Sequence, residues 1–423
     1  MSRRLGEILR KILKGPPLKF NPFVMSRVFY LWLFLGVAAG ASAGIYWIVL
    51  EQIIYFASAV EDWKVIPLMG GAGLLAGLII HWIGDPGEIQ LIVNNIRFRG
   101  GRLDTKHNVS MILSSLLCVG TGGSLGPEAP LVQVTGSVGT WISERLRLKG
   151  EEFRSMTIAG MAAGFTALFG APLGGSLFAL EILHHRHVVE YYEAIIPAIV
   201  SSLAAYTVFA LLIHLGFGPV WNVPAYTTQS VLDFGLAVVF GTVAAAVGWV
   251  FISVTNHLRV FVREISAPIF VKTCAGGFLL GAISFYMPLS RFFGHREIEL
   301  LFQGNFTIGF LIALLMAKLG AIAITVTTGW RGGFIIPLFF MGAVLGLLLK
   351  QIFPSISLPL AAVCCMASLN SCVTRTPLST TLLLSTMTGF SHFVPILFAS
   401  MTGYFLAPKT PFIITQQRPA GET

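Results

Sequence analysis

The chain has 423 residues, 55% of them hydrophobic and only 11% charged, with a mean hydropathy of +0.79. Soluble proteins carry about 25% charged residues, so a water-facing globule is excluded and an all-α polytopic membrane protein is expected. The net charge of +9, from 28 Lys+Arg against 19 Asp+Glu, reads as basic loops held on the cytoplasmic side rather than as a nucleic-acid surface.

Residues 1–20 carry Arg3, Arg4, Arg10, Lys11, Lys14 and Lys19 and are expected to form a cytosolic, basic amphipathic segment lying on the membrane. Charges interrupt its apolar positions and no small-residue cleavage site follows, so it does not read as a signal peptide. Apolar stretches then recur from Val28 to Leu406. Between them stand the clusters Arg97/Arg99/Arg102/Lys106, Arg145/Arg147/Lys149/Arg154, His184 to His187, and Arg259/Arg263/Lys272. If all of these face the cytosol, each apolar block between them must leave and return on one side. Both termini would then be cytosolic, in a multi-pass protein of the cell inner or plasma membrane. The histidine cluster includes Arg186 and follows an apolar helix, which makes it a solvated helix end rather than a metal site. Five cysteines without CxxC spacing read as packing residues.

The block Val109 to Ile142 is too short for a round trip, which needs two spans of about 20 residues. Its middle reads Gly120-Thr-Gly-Gly-Ser-Leu-Gly-Pro-Glu-Ala-Pro130, a density of glycine and proline that ends helices. Two helices therefore meet at a break inside the membrane. Ser155 to Leu183 repeats the pattern around Phe169-Gly-Ala-Pro172. Unpaired backbone at that depth is tolerated where it lines a cavity. A helix N-terminus aimed there offers free N–H groups and about half a positive charge, which suits a dehydrated anion.

The second half echoes the first. Gly332-Gly-Phe-Ile-Ile-Pro337 parallels Gly126-Pro-Glu-Ala-Pro130, and Arg375-Thr-Pro-Leu378 parallels Ala171-Pro-Leu173. The corresponding prolines are separated by similar intervals, 130 to 172 and 337 to 377. The expected division is a first membrane repeat over 21–215, a loop over 216–230, a second repeat over 231–415 and a short tail over 416–423.

At these residues the chain resembles the CLC family of chloride channels and chloride/proton exchangers. Gly126-Pro-Glu-Ala-Pro130 is similar to the family's Gly-(Lys/Arg)-Glu-Gly-Pro signature, and Gly333-Phe-Ile-Ile-Pro337 to its Gly-x-Phe-x-Pro segment. Phe169-Gly-Ala-Pro-Leu-Gly-Gly175 and Arg375-Thr-Pro-Leu378 match further positions, so the likeness runs from about Val28 to Ile414. It implies an inverted repeat of two halves with many tilted and broken helices, and a homodimer with one anion pathway per subunit. It further implies no cofactor, chloride as the transported ligand, and a bacterial-type chain without the C-terminal regulatory domains of some members.

Glu128 is the only charge in its run, and an ionisable group inside a membrane segment is by default a functional candidate. It is either a fixed helix cap or, as the resemblance implies, a gate that occupies the anion site when ionised and yields it when protonated. The anion-binding candidates are Gly84, Gly126, Pro127, Ala129, Gly333, Phe334, Ile335, Ile336 and Phe412, mostly through backbone amides. Three positions depart from the family. Ile83-Gly-Asp-Pro-Gly87 lacks the serine of Gly-Ser-Gly-Ile-Pro, with Gly84 as its nearest equivalent. Phe412 stands at the expected tyrosine, and Ile182 at the internal proton-accepting glutamate, next to Glu181. On the proton pathway this leaves Glu128 and, weakly, Glu181. Arg331, before the second helix start, is an interfacial arginine or one that concentrates anions by its charge. A passive or weakly proton-coupled chloride pathway is expected. The alternatives are a fully coupled chloride/proton antiporter or a carrier of fluoride or nitrate. A membrane-embedded enzyme would need a convergent His, Asp or Cys set, which the sequence does not offer.

Overall fold

The computed structural model of the protein describes residues 27–87, 101–103, 105–183, 188–214, 218–224, 230–413 and 416. The basic segment 1–20, Arg97 and Arg99, the His184 to His187 cluster, and much of the 216–230 and 416–423 stretches lie outside the described residues.

The described residues form α-helices and short 3₁₀ turns. In the first half these are α1 (Arg27–Ser58), α2 (Val65–Ile83), α3 (Asn108–Gly120), α4 (Glu128–Arg145), α5 (Gly150–Phe169), α6 (Pro172–Glu181) and α7 (Val188–Ile213). The second half holds α8 (Val231–Glu264), α9 (Ile269–Tyr286), α10 (His295–Gln303), α11 (Ile308–Thr328), α12 (Ile335–Ile352), α13 (Leu358–Thr374), α14 (Pro377–Thr388) and α15 (Phe393–Phe405). Seven helical stretches among the described residues are long and apolar enough to cross a membrane, and the chain is an integral, multi-pass membrane protein.

Lengths follow from the sequence. The 32 residues of α1 extend about 48 Å at 1.5 Å per residue, well beyond a hydrocarbon core of about 30 Å, so α1 has to tilt. By contrast α3, with 13 residues, and α6, with 10, cannot span it. The chain solves this by joining short helices end to end at breaks. The turn 121–127 separates α3 from α4, and Gly170, in the left-handed region at φ 63°, ends α5 just before Pro172 opens α6. In the second half Gly329, at φ 91°, ends α11 before α12, and Arg375, at φ 60°, ends α13 before Pro377 opens α14. Both halves therefore carry two interrupted pairs, with α4 and α12 of 18 residues each.

Small residues let the halves approach closely, as in membrane proteins generally, where apolar attraction between helices is weak. Gly73 and Gly77 on α2 face Thr273 and Phe270 on α9, and Gly277 on α9 faces Met69 on α2. A Cβ at any of these three glycines would overlap the facing helix. Trp330 fixes this seam to the start of α12 by donating its indole N–H to the Thr273 carbonyl at 2.9 Å.

Candidate functional site

The breaks converge. Gly126 donates its N–H to the Gly333 carbonyl at 2.7 Å, and Gly333 returns a bond of 2.6 Å to the Gly126 carbonyl, an isolated antiparallel bridge. This exchange brings the starts of α4 and α12 to one point inside the protein. It also consumes both glycine amides, so neither N–H is free to bind an ion here. The glycines serve instead as the joint between two helix starts. The donors left are first-turn amides, which have no partner within a helix. In α4 these are Glu128 and Ala129, and around the start of α12 they are Phe334, Ile335 and Ile336. Pro130 and Pro337 end both sets, since proline has no N–H.

Glu128 is fully buried. Its Oε1 accepts the Ile336 N–H at 2.9 Å, while Oε2 is buried without a hydrogen-bond partner. The carboxylate of one half thus sits on the helix start of the other. It fits because residues 126 and 333 have no side chain: a Cβ on either would overlap Glu128 Oε2. Pro127 is the residue from which α4 departs. Asn370 on α13 steadies the opposite wall by donating Nδ2 to the Ile335 carbonyl at 3.1 Å.

Next to the two helix starts lies a cavity of about 20 Å³, lined by the chain neighbour of Glu128 but not by Glu128 itself, with room for one small occupant. Ala129 and Phe334 line it, together with Phe412, Leu125, Gly332 and Arg331. Phe412 is buried, edge-on to Phe334 at 4.9 Å between ring centroids, with the Arg259 guanidinium over its ring at 5.3 Å. A cation on the ring face leaves the electropositive ring edge as the surface an anion can use. The segment bearing Phe412 is pinned by Arg375, which donates to the Pro408 and Lys409 carbonyls at 2.5 and 3.0 Å, and by Gln416, which donates to the Ile182 and Thr374 carbonyls.

Gly84 ends α2 at φ 116°, where its carbonyl accepts from Ser110 Oγ at 2.7 Å. Gly87, three residues on, lines the cavity, as do Met111, Trp330 and Ile413. Nothing in local sequence marks Met111 and Ile413, and only the fold brings them to the helix starts; Gly87 closes the Ile83-Gly-Asp-Pro-Gly87 motif, of which Gly84 alone was expected at the anion site. Glu181 has both oxygens engaged: Oε1 accepts from Leu378 N at 3.1 Å, and Oε2 from Ser379 N at 2.7 Å and Ser379 Oγ at 2.6 Å. It thereby caps the start of α14. Ile182 is buried. Among the described residues no group of three or more His, Cys, Asp or Glu could hold a metal ion.

Comparison with known proteins agrees with this geometry. The profile of the voltage gated chloride channel family matches residues 72–408. The chain belongs to that family. An uncharacterized protein of Methanocaldococcus jannaschii is 26% identical over 375 residues, 88% of this chain and 92% of that protein. A chloride/fluoride channel protein of Pseudomonas syringae pv. tomato is 28% identical over 350 residues, 78% of this chain and 73% of the relative. Among solved structures, a CLC-type fluoride/proton antiporter shares the fold with a TM-score of 0.82, at 21% identity, over 94% of this chain and all of that one. This CLC chain is accordingly a member of a family of anion-transporting membrane proteins, and its fold is the inverted repeat of broken helices.

Proposed function

We propose that this CLC chain moves small anions, chloride first, through the cavity beside the starts of α4 and α12, with Glu128 as the gate and with weak or no proton coupling. One observation carries the reading: the Glu128 carboxylate sits on the Ile336 amide, and its chain neighbour Ala129 lines a cavity of single-ion size. An ionised carboxylate is itself an anion, so its seat is one a halide can take. Protonation removes the charge that strengthens its bond to the amide, and the side chain then yields the seat.

Weak coupling is supported by two positions. Ile182 stands where the resemblance puts an internal carboxylate, and both Glu181 oxygens are committed to α14. The central cavity also lacks the hydroxyls expected at residues 84 and 412, each worth about 0.5–1.5 kcal/mol net. Loose anion binding permits slippage between anion and proton movements.

A second reading, a carrier of fluoride, is favoured by the names chloride/fluoride channel and fluoride/proton antiporter borne by two similar proteins. The chain is further proposed to act as a homodimer with one pathway per subunit, and to keep its basic clusters on the cytosolic side. The repeats 21–215 and 231–415 would each supply one of the two converging helix starts.

Reconstitution into vesicles with simultaneous recording of chloride efflux and pH tests the function. Passive chloride flux without steady uphill proton movement is expected. Sustained proton pumping driven by a chloride gradient overturns the weakly coupled reading, and a panel of competing halides separates chloride from fluoride.

A further inference from the structure

We propose that the large cavity between α1, α7 and α10 binds an organic ammonium ion, whose apolar body packs on aromatic rings while its charged head meets carboxylates. The site is separate from the anion pathway and does not rest on that reading. Its lining comes from the second half of α1, the Gly170 break, the end of α7, residues 218–220 and residues 292–299. On the topology proposed above these parts lie at the outer face, away from the basic clusters.

Size and charge set this cavity apart. It holds about 670 Å³, within the range of pockets for organic ligands, against about 20 Å³ at the helix starts. Its charged lining is Glu51, Glu297 and Glu299 against Arg296. In a chain of net charge +9 that is a local excess of negative charge, wrong in sign for a halide. Arg296 meets Glu51 at 3.3 Å, with the two side chains 68% and 46% exposed. Such a pair is worth at most about 1 kcal/mol, so the Glu51 carboxylate can turn to a ligand at little cost. The buried Lys318 ammonium offsets part of the Glu297 charge, which leaves Glu51 and Glu299 as the pair for an incoming cation.

The inner wall is aromatic. Trp47 stands edge-on to Phe209 and to the His295 ring, each at 6.2 Å between centroids, and Phe293 lies 6.0 Å from His295. All four line the cavity. Aromatic faces attract ammonium ions and pack against apolar bodies. Trp47 and Glu51 are one helical turn apart on α1, so ring and carboxylate share a face. His295 is a second pointer to a polar guest. Its Nδ1 is buried with no hydrogen-bond partner, and an atom left so needs a partner from outside the chain. Burial, with Arg296 nearby, pushes the His295 pKa down to about 4, so the ring is neutral at physiological pH. With its proton on Nε2 it offers a lone pair at Nδ1, which an ammonium N–H meets directly or through one water.

The test is calorimetric titration of the full chain in detergent with three probes that share one body: phenylhexylamine, phenylhexanol and phenylhexanoate. The amine should bind saturably at one site per chain, about tenfold or more tighter than the alcohol, as for a hydrogen bond to a charged group. The carboxylate should bind no better than the alcohol. Glu51→Gln and Glu299→Gln should each weaken the amine about two- to fivefold, the worth of a partly exposed charge contact, and leave the alcohol as it was. An unaltered unfolding temperature shows that each variant keeps the fold, and both positions are at least partly exposed, so neither substitution disturbs the core. Equal affinity for the three heads overturns the proposal, and so does unchanged amine affinity in both variants. None of these outcomes depends on anion flux, so failure here leaves the proposed function standing.

Discussion

The Glu128 carboxylate accepts a 2.9 Å hydrogen bond from the amide of Ile336, 208 positions further along the chain. Ile336 lies in the first turn of α12, where the amide has no partner inside its own helix, so the carboxylate completes a helix start in the other half of the molecule. On the proposed reading a chloride ion takes the same place, and the two compete for one seat. The sign of the pH dependence follows. Acidification neutralises the carboxylate, weakens its hold on the amide and frees the seat, so anion flux should rise as pH falls. Glu128→Gln, which cannot ionise, should conduct at a rate that changes less than about twofold per pH unit, where one titrating group allows up to about tenfold. Flux recorded in vesicles at stepped pH checks this. Loss of flux with retained pH sensitivity would remove Glu128 from the gate.

Gly126 offers a second handle on the same carboxylate. A Cβ there would overlap Glu128 Oε2 and lie 2.6 Å from Cδ and 2.7 Å from Oε1, all of them atoms of one side chain. Gly126→Ala should therefore destabilise the protein by about 1–3 kcal/mol through overpacking, or drive the carboxylate from its seat and flatten the pH response. Glu128→Ala deletes each of those atoms. In that background Gly126→Ala should cost less than about 1 kcal/mol, a non-additivity expected of groups in contact. Thermal unfolding of the single and double variants in detergent measures the coupling; strictly additive losses would mean that the glycine is required for another reason.

The sequence made the broken helices legible because length and chemistry conflict there. Glycine and proline at residues 120–130 cannot continue a helix, and that apolar block is too short to return across a bilayer; the break before Pro337 was found by its likeness to the first-half motif. Glu128 stood out as a lone charge between two prolines. The mutual bonding of Gly126 and Gly333 was hidden, because local sequence does not say whether a turn amide meets an ion or another strand of backbone. The cavity wall was hidden for a different reason. Met111 and Ile413 are ordinary apolar residues in apolar runs, and only packing between distant helices decides that they face a cavity. Arg331 was visible as a charge next to a helix start, yet its ion pair with Asp85, at 2.7 Å, could not be found from spacing alone.

Glu181 gathers three donors from the first turn of α14, two backbone amides and the Ser379 hydroxyl. That arrangement is a helix cap supplied by another helix, and losing a capping side chain costs about 0.5–2 kcal/mol. Glu181→Ala should lower the unfolding temperature while leaving the pH dependence of anion flux unchanged, because the Glu128 seat is built from other elements. Glu181→Gln, which keeps an acceptor oxygen, should recover part of the lost stability. A change in proton movement per anion in Glu181→Gln, with stability unaltered, would make it a relay instead.

The turn between α3 and α4 is held from outside by two cations in the 290–293 stretch and on α11. Arg291 donates to the Ala57 and Val60 carbonyls at the end of α1 and to the Thr121 carbonyl at the end of α3, at 2.9–3.1 Å. The next residue, Phe292, donates its N–H to the Gly122 carbonyl at 3.1 Å. Lys318, fully buried on α11, completes the brace by donating to the Ser290 and Phe292 carbonyls at 3.1 and 2.7 Å, with its ammonium 4.7 Å from the Phe340 ring centroid. Each cation satisfies carbonyls that helices and turns leave over. Lys318→Met, similar in length and apolar, strips two carbonyls of their donor and should cost about 1–3 kcal/mol. Arg291→Met strips three and should cost more. Neither side chain touches the Glu128 carboxylate, so the fraction that folds should still conduct more at low pH. Thermal unfolding paired with flux at two pH values separates the outcomes: equal melting temperatures would deny the brace, and a lost pH response in well-folded protein would place these cations in the gate itself.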